Sequence, residues 1–168
     1  MSMDSPYRID DMSQIITPAV VVFLEKVQAN LEHMIEIVRD LSQLRPHCKT
    51  HKTRQIIEMQ LRYGIHKHKC ATFAEAEMLA KCGVEDIVLA YNLVGPNIGR
   101  AVTFRRKFPG VTLSVTADHP SPVAELGAAM VEAGTTIEVL IDLDTGLHRT
   151  GIEPNADAAG LYQDIAGT

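Results

Sequence analysis

The 168-residue sequence holds only three cysteines, Cys48, Cys70 and Cys82, an odd number with no CxxC spacing. It therefore carries neither a disulfide framework nor a paired-cysteine metal motif, and a reducing, cytoplasmic setting is the expectation. No apolar run reaches the roughly 18 residues of a membrane span. Met1 to Gln14 is acidic and polar and lacks the basic-then-apolar layout of a signal peptide. Positive charge is in deficit. Sixteen lysines and arginines against 21 acids give a formal charge of −5 and a pI near 5.8. That balance argues against nucleic-acid binding, because affinity for phosphates needs a positive surface to release counterions. Aromatics are few, at 5%, yet 46% hydrophobic and 22% charged residues are ordinary for a globular domain. A disordered, collagenous or low-complexity chain is excluded, and the length suits one domain with a sizeable core.

What is present is an alternation of short β-branched runs with longer amphipathic stretches. Strands are expected at 19–24, 44–49, 67–72, 86–91, 111–116 and 137–142, starting at intervals of roughly 19 to 26 residues. Leu31, Met34, Ile35, Val38 and Leu41 fall at helical spacing, as do Ile56, Met59, Gln60 and Tyr63. A third helix carries Ala76, Leu79 and Ala80 and stops at Gly83. Pro96 and Pro120 suit helix first turns, and Gly110 and Gly134 precede strands. About six consecutive βα units predict an α/β fold, either a doubly wound sheet or a (βα)8 TIM barrel. Phe23-Leu24-Glu25-Lys26 enters its helix without a glycine-rich phosphate loop, which favours the barrel, here incomplete because eight strands are needed.

The densest chemical cluster is Arg45-Pro46-His47-Cys48-Lys49-Thr50-His51-Lys52, ending the second expected strand. Strand alternation sets His47 and Lys49 on one face and Cys48 on the other. A lysine at a C-terminal strand end of a barrel, between apolar walls and near other cations, is a candidate nucleophilic amine. A basic loop contacting phosphate or solvent is the competing account. His66-x-His68-x-Cys70 aligns three ligand types on one strand face, but Lys67 and Lys69 between them repel a cation, so no metal site is expected there. Cys48 and Cys82 read as small core hydrophobes, and Phe104-Arg105-Arg106-Lys107-Phe108 as the solvated end of a helix.

The octapeptide at 45–52 resembles the cofactor-lysine segment of the D-threonine aldolase and eukaryotic-type D-serine dehydratase family. These are fold-type III pyridoxal-phosphate enzymes with the alanine racemase type of N-terminal barrel. Four further segments are similar to that family in the same order: Ile16-Thr17-Pro18-Ala19, Ala71-Thr72-Phe73-Ala74-Glu75-Ala76-Glu77, Leu89 to Pro96, and Asp144-Thr145-Gly146-Leu147-His148-Arg149-Thr150-Gly151. The resemblance runs from residue 16 to the end of the chain.

The resemblance implies that Lys49 binds pyridoxal 5'-phosphate covalently, with Lys52, just past the strand end, the lesser candidate. It implies that Arg149 faces the cofactor's phenolic oxygen, a fixed cation against an anionic atom. His47 and His51 would flank the cofactor as hydrogen-bond donors or proton carriers. Asp144, Thr145 and Gly146 would shape the turn that presents Arg149. The plainer accounts are a loop ion pair of Arg149 with Asp142 or Asp144, and two structural histidines.

The activity implied is a lyase acting on small D-β-hydroxy amino acids. An aldolase would yield glycine and an aldehyde, and a D-serine dehydratase would eliminate the β-hydroxyl. Either would use a divalent metal of manganese or zinc type held by a C-terminal β-domain in the longer enzymes. Residues 1–15 then read as an extension and 16–168 as a partial cofactor-binding barrel, homodimeric at full length and with little lyase activity alone. No nucleic-acid or membrane partner is expected. A non-catalytic pyridoxal-phosphate-binding protein is a reading from another class, and the lysine segment argues against it and against a racemase.

Overall fold

The computed structural model describes residues 7–167, so the first six residues of the expected extension, and Thr168, lie outside the described residues. The chain divides into two compact units, Met1–Asp40 and Leu41–Thr168.

The first unit is built on α1, Leu24–Val38. Leu31 is buried, and Val27, Met34, Ile35 and Val38 are half-buried on the same stripe, as their spacing predicts. Tyr7 meets the edge of Phe23 just before the helix, with ring centroids 5.4 Å apart. Residues 19–24 do not form the expected strand. A β-branched run suits a ladder, but a ladder needs a neighbour, and among the described residues none bonds to this run. Val20 is 93% exposed accordingly.

The second unit alternates helix and strand: α2 Arg54–Arg62, β1 Lys67–Cys70, α3 Phe73–Lys81, β2 Asp86–Asn92, α4 Pro96–Lys107, β3 Thr112–Ala117, α5 Pro120–Ala133, β4 Glu138–Ile141 and α6 Ala156–Gly167. The four strands are parallel and lie in chain order, β1-β2-β3-β4. Each helix from α3 to α6 packs on the next. A doubly wound sheet would reverse strand order at a switch point; this one does not, so it is an arc of an incomplete barrel with helices outside.

Three helices stop in the same way before their strands. The amides of Ile65, Val84 and Thr135 reach back to the carbonyls of Gln60, Leu79 and Met130 at 3.0–3.1 Å. The preceding glycines 64, 83 and 134 donate to Leu61, Ala80 and Val131. Pro96 and Pro120 begin α4 and α5, where a missing N–H is harmless. The helix-facing side of the sheet, with Cys70, Ile87, Leu89, Leu113 and Val115, packs on Phe73, Leu79, Ala101, Phe104, Leu126 and Met130. The opposite side is more polar. One register row crosses it as Lys69, Val88, Ser114 and Glu138, and Ser114 Oγ donates to the Glu138 carboxylate at 2.7 Å.

The expected strand at 44–49 is reduced to one bridge, His47 to Lys69. Pro46 has no N–H for a ladder, and Cys48–Thr50 wind into a 3-10 turn. Among the described residues no helix is long and apolar enough to cross a membrane.

Candidate active site

The C-terminal ends of the four strands surround a cleft of about 570 Å³. His47 and Lys49 enter from the 3-10 turn, Lys69 from β1, Tyr91 and Asn92 from β2, Thr116 from β3, and Asp142 and Arg149 from beyond β4. Among the described residues three basic side chains, Lys49, Lys69 and Arg149, line it beside one carboxylate, Asp142, so the cleft suits anions.

The turn that carries Lys49 is held from within. The amides of His51 and Lys52 both donate to the Cys48 carbonyl, at 3.2 and 2.7 Å, and Lys49 N–H points to His47 Nδ1 at 3.4 Å. Cys48 is fully buried while Lys49 is exposed to the cleft, the facing that alternation predicts although no strand forms. Burial, and then the Glu75 carboxylate, push the Cys48 thiol up to about 11, so it stays protonated. His47 is held below its ordinary value by burial first, then by the Lys49 and Lys69 cations. A neutral His47 with Nδ1 accepting carries its proton on Nε2.

Lys52 is removed from the contest for the cleft by an ion pair, its Nζ lying 2.5 Å from Glu75 Oε1. Among the described residues Lys49 and Arg149 have no carboxylate partner. His51 is not on the cleft wall. Its Nδ1 accepts Thr53 N–H at 3.0 Å where α2 begins, and burial lowers its pKa.

Arg149 rides on the loop 143–152. Asp144 shapes that loop, accepting the amides of Gly146 and His148 at 2.9 Å each and the His148 ring at 2.8 Å. Those amides, His148 first, hold the Asp144 carboxyl below its usual value. Asp144 is thereby committed to its own loop, and the alternative ion pair with Arg149 is not formed. A bridge from Leu143 to Ile152 closes the loop, and Asp118 Oδ2 accepts Gly151 N–H at 3.0 Å.

Sequence reasoning missed Lys69, Tyr91, Asn92 and Thr116. Lys69 was readable in principle, since it alternates with His68 and Cys70 and so lies on the cleft side. His68 and Cys70 are fully buried and His66 is exposed, so the three do not form one centre. His68 Nε2 instead meets Gln60 Oε1 at 3.0 Å. Among the described residues no group of three His, Cys, Asp or Glu side chains is arranged to hold a metal ion.

Comparison with known proteins follows the same lines. The chain is 31% identical over 155 residues to a D-threonine aldolase of an Arthrobacter species, covering 92% of this chain and 40% of that protein. It is 30% identical over 160 residues to the D-threo-3-hydroxyaspartate dehydratase of Delftia sp. strain HT23, covering 95% and 41%. The crystal structure of the Filomicrobium marinum D-threonine aldolase superposes with a TM-score of 0.80 at 28% identity, over 90% of this chain and 41% of that one. The chain thus spans about 40% of the length of these relatives. The family model for the alanine racemase N-terminal domain matches residues 22–168, and the chain belongs to that family.

Proposed function

We propose that this chain is the cofactor-binding barrel portion of a pyridoxal-phosphate-dependent lyase for D-β-hydroxy amino acids, cleaving them to glycine and an aldehyde. The observation that carries the reading is the cleft itself, which among the described residues is lined by an exposed lysine and an arginine, neither with a carboxylate partner. The relatives named D-threonine aldolase add support. The fit is chemical. An aldehyde-bearing anionic cofactor needs one free amine and fixed cations, and Lys49, Arg149 and Lys69 supply them. A second reading, elimination to ammonia and a keto acid, is favoured by the similar identity to the dehydratase.

When bound, pyridoxal phosphate supplies an electron sink for the bond that breaks at the substrate's α-carbon. Lys49 Nζ would hold the group through its aldehyde and could take a proton at that nitrogen. Arg149 would offer its guanidinium N–H groups to the phenolic oxygen. His47, kept neutral by burial and by its cationic neighbours, holds the Lys49 turn through Nδ1 and has an Nε2 proton to donate. His51 supports the segment from the start of α2. Lys69 adds a cation for a phosphate or substrate carboxylate. The manganese- or zinc-type metal of the longer enzymes would bind outside the described residues. A homodimer at full length and a cytoplasmic setting, suited to three free cysteines, complete the proposal.

With the cofactor loaded, D-threonine is expected to perturb its visible absorption and L-threonine to leave it unchanged. Glycine and aldehyde as products support cleavage; ammonia and keto acid support elimination. No response to either enantiomer would overturn the lyase reading.

A further inference from the structure

Among the described residues one backbone–backbone hydrogen bond ties the segment that carries Lys49 to the sheet, Lys69 N–H to the Pro46 carbonyl at 2.9 Å. Side chains at the two ends of residues 45–52 secure it instead. At the start, Arg45 grips both oxygens of Asp86, at 2.6 and 2.8 Å. At the end, Lys52 Nζ donates to Glu75 Oε1 at 2.5 Å. The other oxygen of Glu75 accepts Ala71 N–H at 2.8 Å and lies 3.9 Å from the Cys48 thiol.

The Glu75 side chain is only 5% exposed. A carboxylate this buried is costly unless its lone pairs are used, and here both oxygens are. Burial raises its pKa, but Lys52 and the Ala71 amide outweigh burial and leave it below the usual carboxylate value. The Thr72 hydroxyl accepts Glu75 N–H at 3.2 Å, which fixes the start of α3 and with it the carboxylate. Three flanks therefore meet at one side chain: Cys48 just before Lys49, Lys52 three residues after it, and Ala71 at the exit of β1 beside the cleft.

We infer that Glu75 is the positioning residue for Lys49, clamping Cys48 and Lys52 so that the amine of Lys49, and not that of Lys52, is presented to the cleft. The inference rests on the reading of Lys49 as the cofactor lysine. Glu75 touches neither substrate nor cofactor. Its effect is one of choice between two amines three positions apart on the same turn.

The test is to incubate the protein with pyridoxal phosphate, reduce with borohydride, digest, and quantify modified Lys49 and Lys52 by mass spectrometry. The unsubstituted protein should be modified at Lys49, with little at Lys52. Glu75→Gln keeps the shape and an acceptor for Ala71 N–H but loses the charge on Lys52. It should raise the Lys52-to-Lys49 ratio about tenfold, the scale of a hydrogen bond between charged groups. Glu75→Asp, which keeps the charge, should move the ratio back toward that of the parent. A glutamate that only stabilises the fold would lower the melting temperature and total labelling with the ratio unchanged, and that result overturns the inference. If Glu75→Gln does not fold, Lys52→Gln removes the same ion pair from its 61% exposed end. A several-fold slower labelling of Lys49 in that variant supports the inference, and an unchanged rate overturns it. Absence of label at Lys49 in the unsubstituted protein would overturn both this inference and the reading beneath it.

Discussion

Gly151→Ala is expected to cost about 3 kcal/mol and to weaken cofactor binding at least about tenfold, through backbone strain and lost hydrogen bonds. Gly151 has φ +102°, a conformation that side chains rarely adopt. An added Cβ would lie 2.6 Å from Asp144 N and 2.8 Å from the Leu143 carbonyl carbon. Both are backbone atoms of the closed loop, so neither can yield as a flexible side chain would. Relief requires opening the bonds that shut the loop, Asp144 N–H to Ile152 O and Ile152 N–H to Asp142 O, each 2.9 Å, or losing the Gly151 amide from Asp118. Every one of these moves Arg149, two residues away. Urea denaturation and a cofactor titration on the same variant check both halves. A midpoint and an affinity equal to the parent's would mean that the loop closure does not position Arg149.

The second large effect is a loss of stability in acid. His68 is fully buried between α2 and the sheet, with Nε2 on Gln60 and Nδ1 without a hydrogen-bond partner among the described residues. Burial first, then the neighbouring His51 and Arg45 charges, lower its pKa to about 4. In the unfolded chain the same ring titrates near 6.5, so the unfolded state takes up the proton first as pH falls. Stability is therefore full above pH ~6.5, declines as pH drops toward ~4, and levels off below, with a total loss of about 3 kcal/mol from this residue. His51, half-buried and shifted the same way, adds to the slope. His68→Asn should be less stable at neutral pH, because it leaves a cavity, yet should lose less on acidification. Urea midpoints at pH 7 and pH 4.5 for both proteins decide it. Parallel losses would assign the acid lability elsewhere.

The sequence was most informative where one residue settles local structure alone. Pro96, Pro120 and Gly83 begin or end helices as expected, and the runs at 86–92 and 112–117 are strands because they are buried between neighbours on both edges. The run at 19–24 has strand composition, but a strand is a relation between two segments, and composition does not reveal the missing partner. At 44–49 a proline and a turn intervene, yet the side-chain facing predicted for His47, Cys48 and Lys49 survives. The site divides the same way. Lys49, Arg149 and His47 were legible through the resemblance and do line one cleft. His51 sits behind it, because its ring caps the approach to α2. Lys69 reads in sequence as a charge that repels metal, and its place near Lys49 depends on the bridge between His47 and Lys69, a pairing of two separate segments. The Lys52–Glu75 pair joins residues 23 positions apart, which no local pattern announces.

The central claim is that Lys49 in this cleft captures pyridoxal phosphate. The most direct measurement is a visible-absorption titration of the protein with the cofactor, run beside Lys49→Ala. Lys49 is exposed and outside the core, so the variant should keep its fold, with stability within about 0.5 kcal/mol of the parent. The account predicts a saturable band at one equivalent in the parent and none in the variant. Equal bands in the two proteins, or none in either, would contradict it.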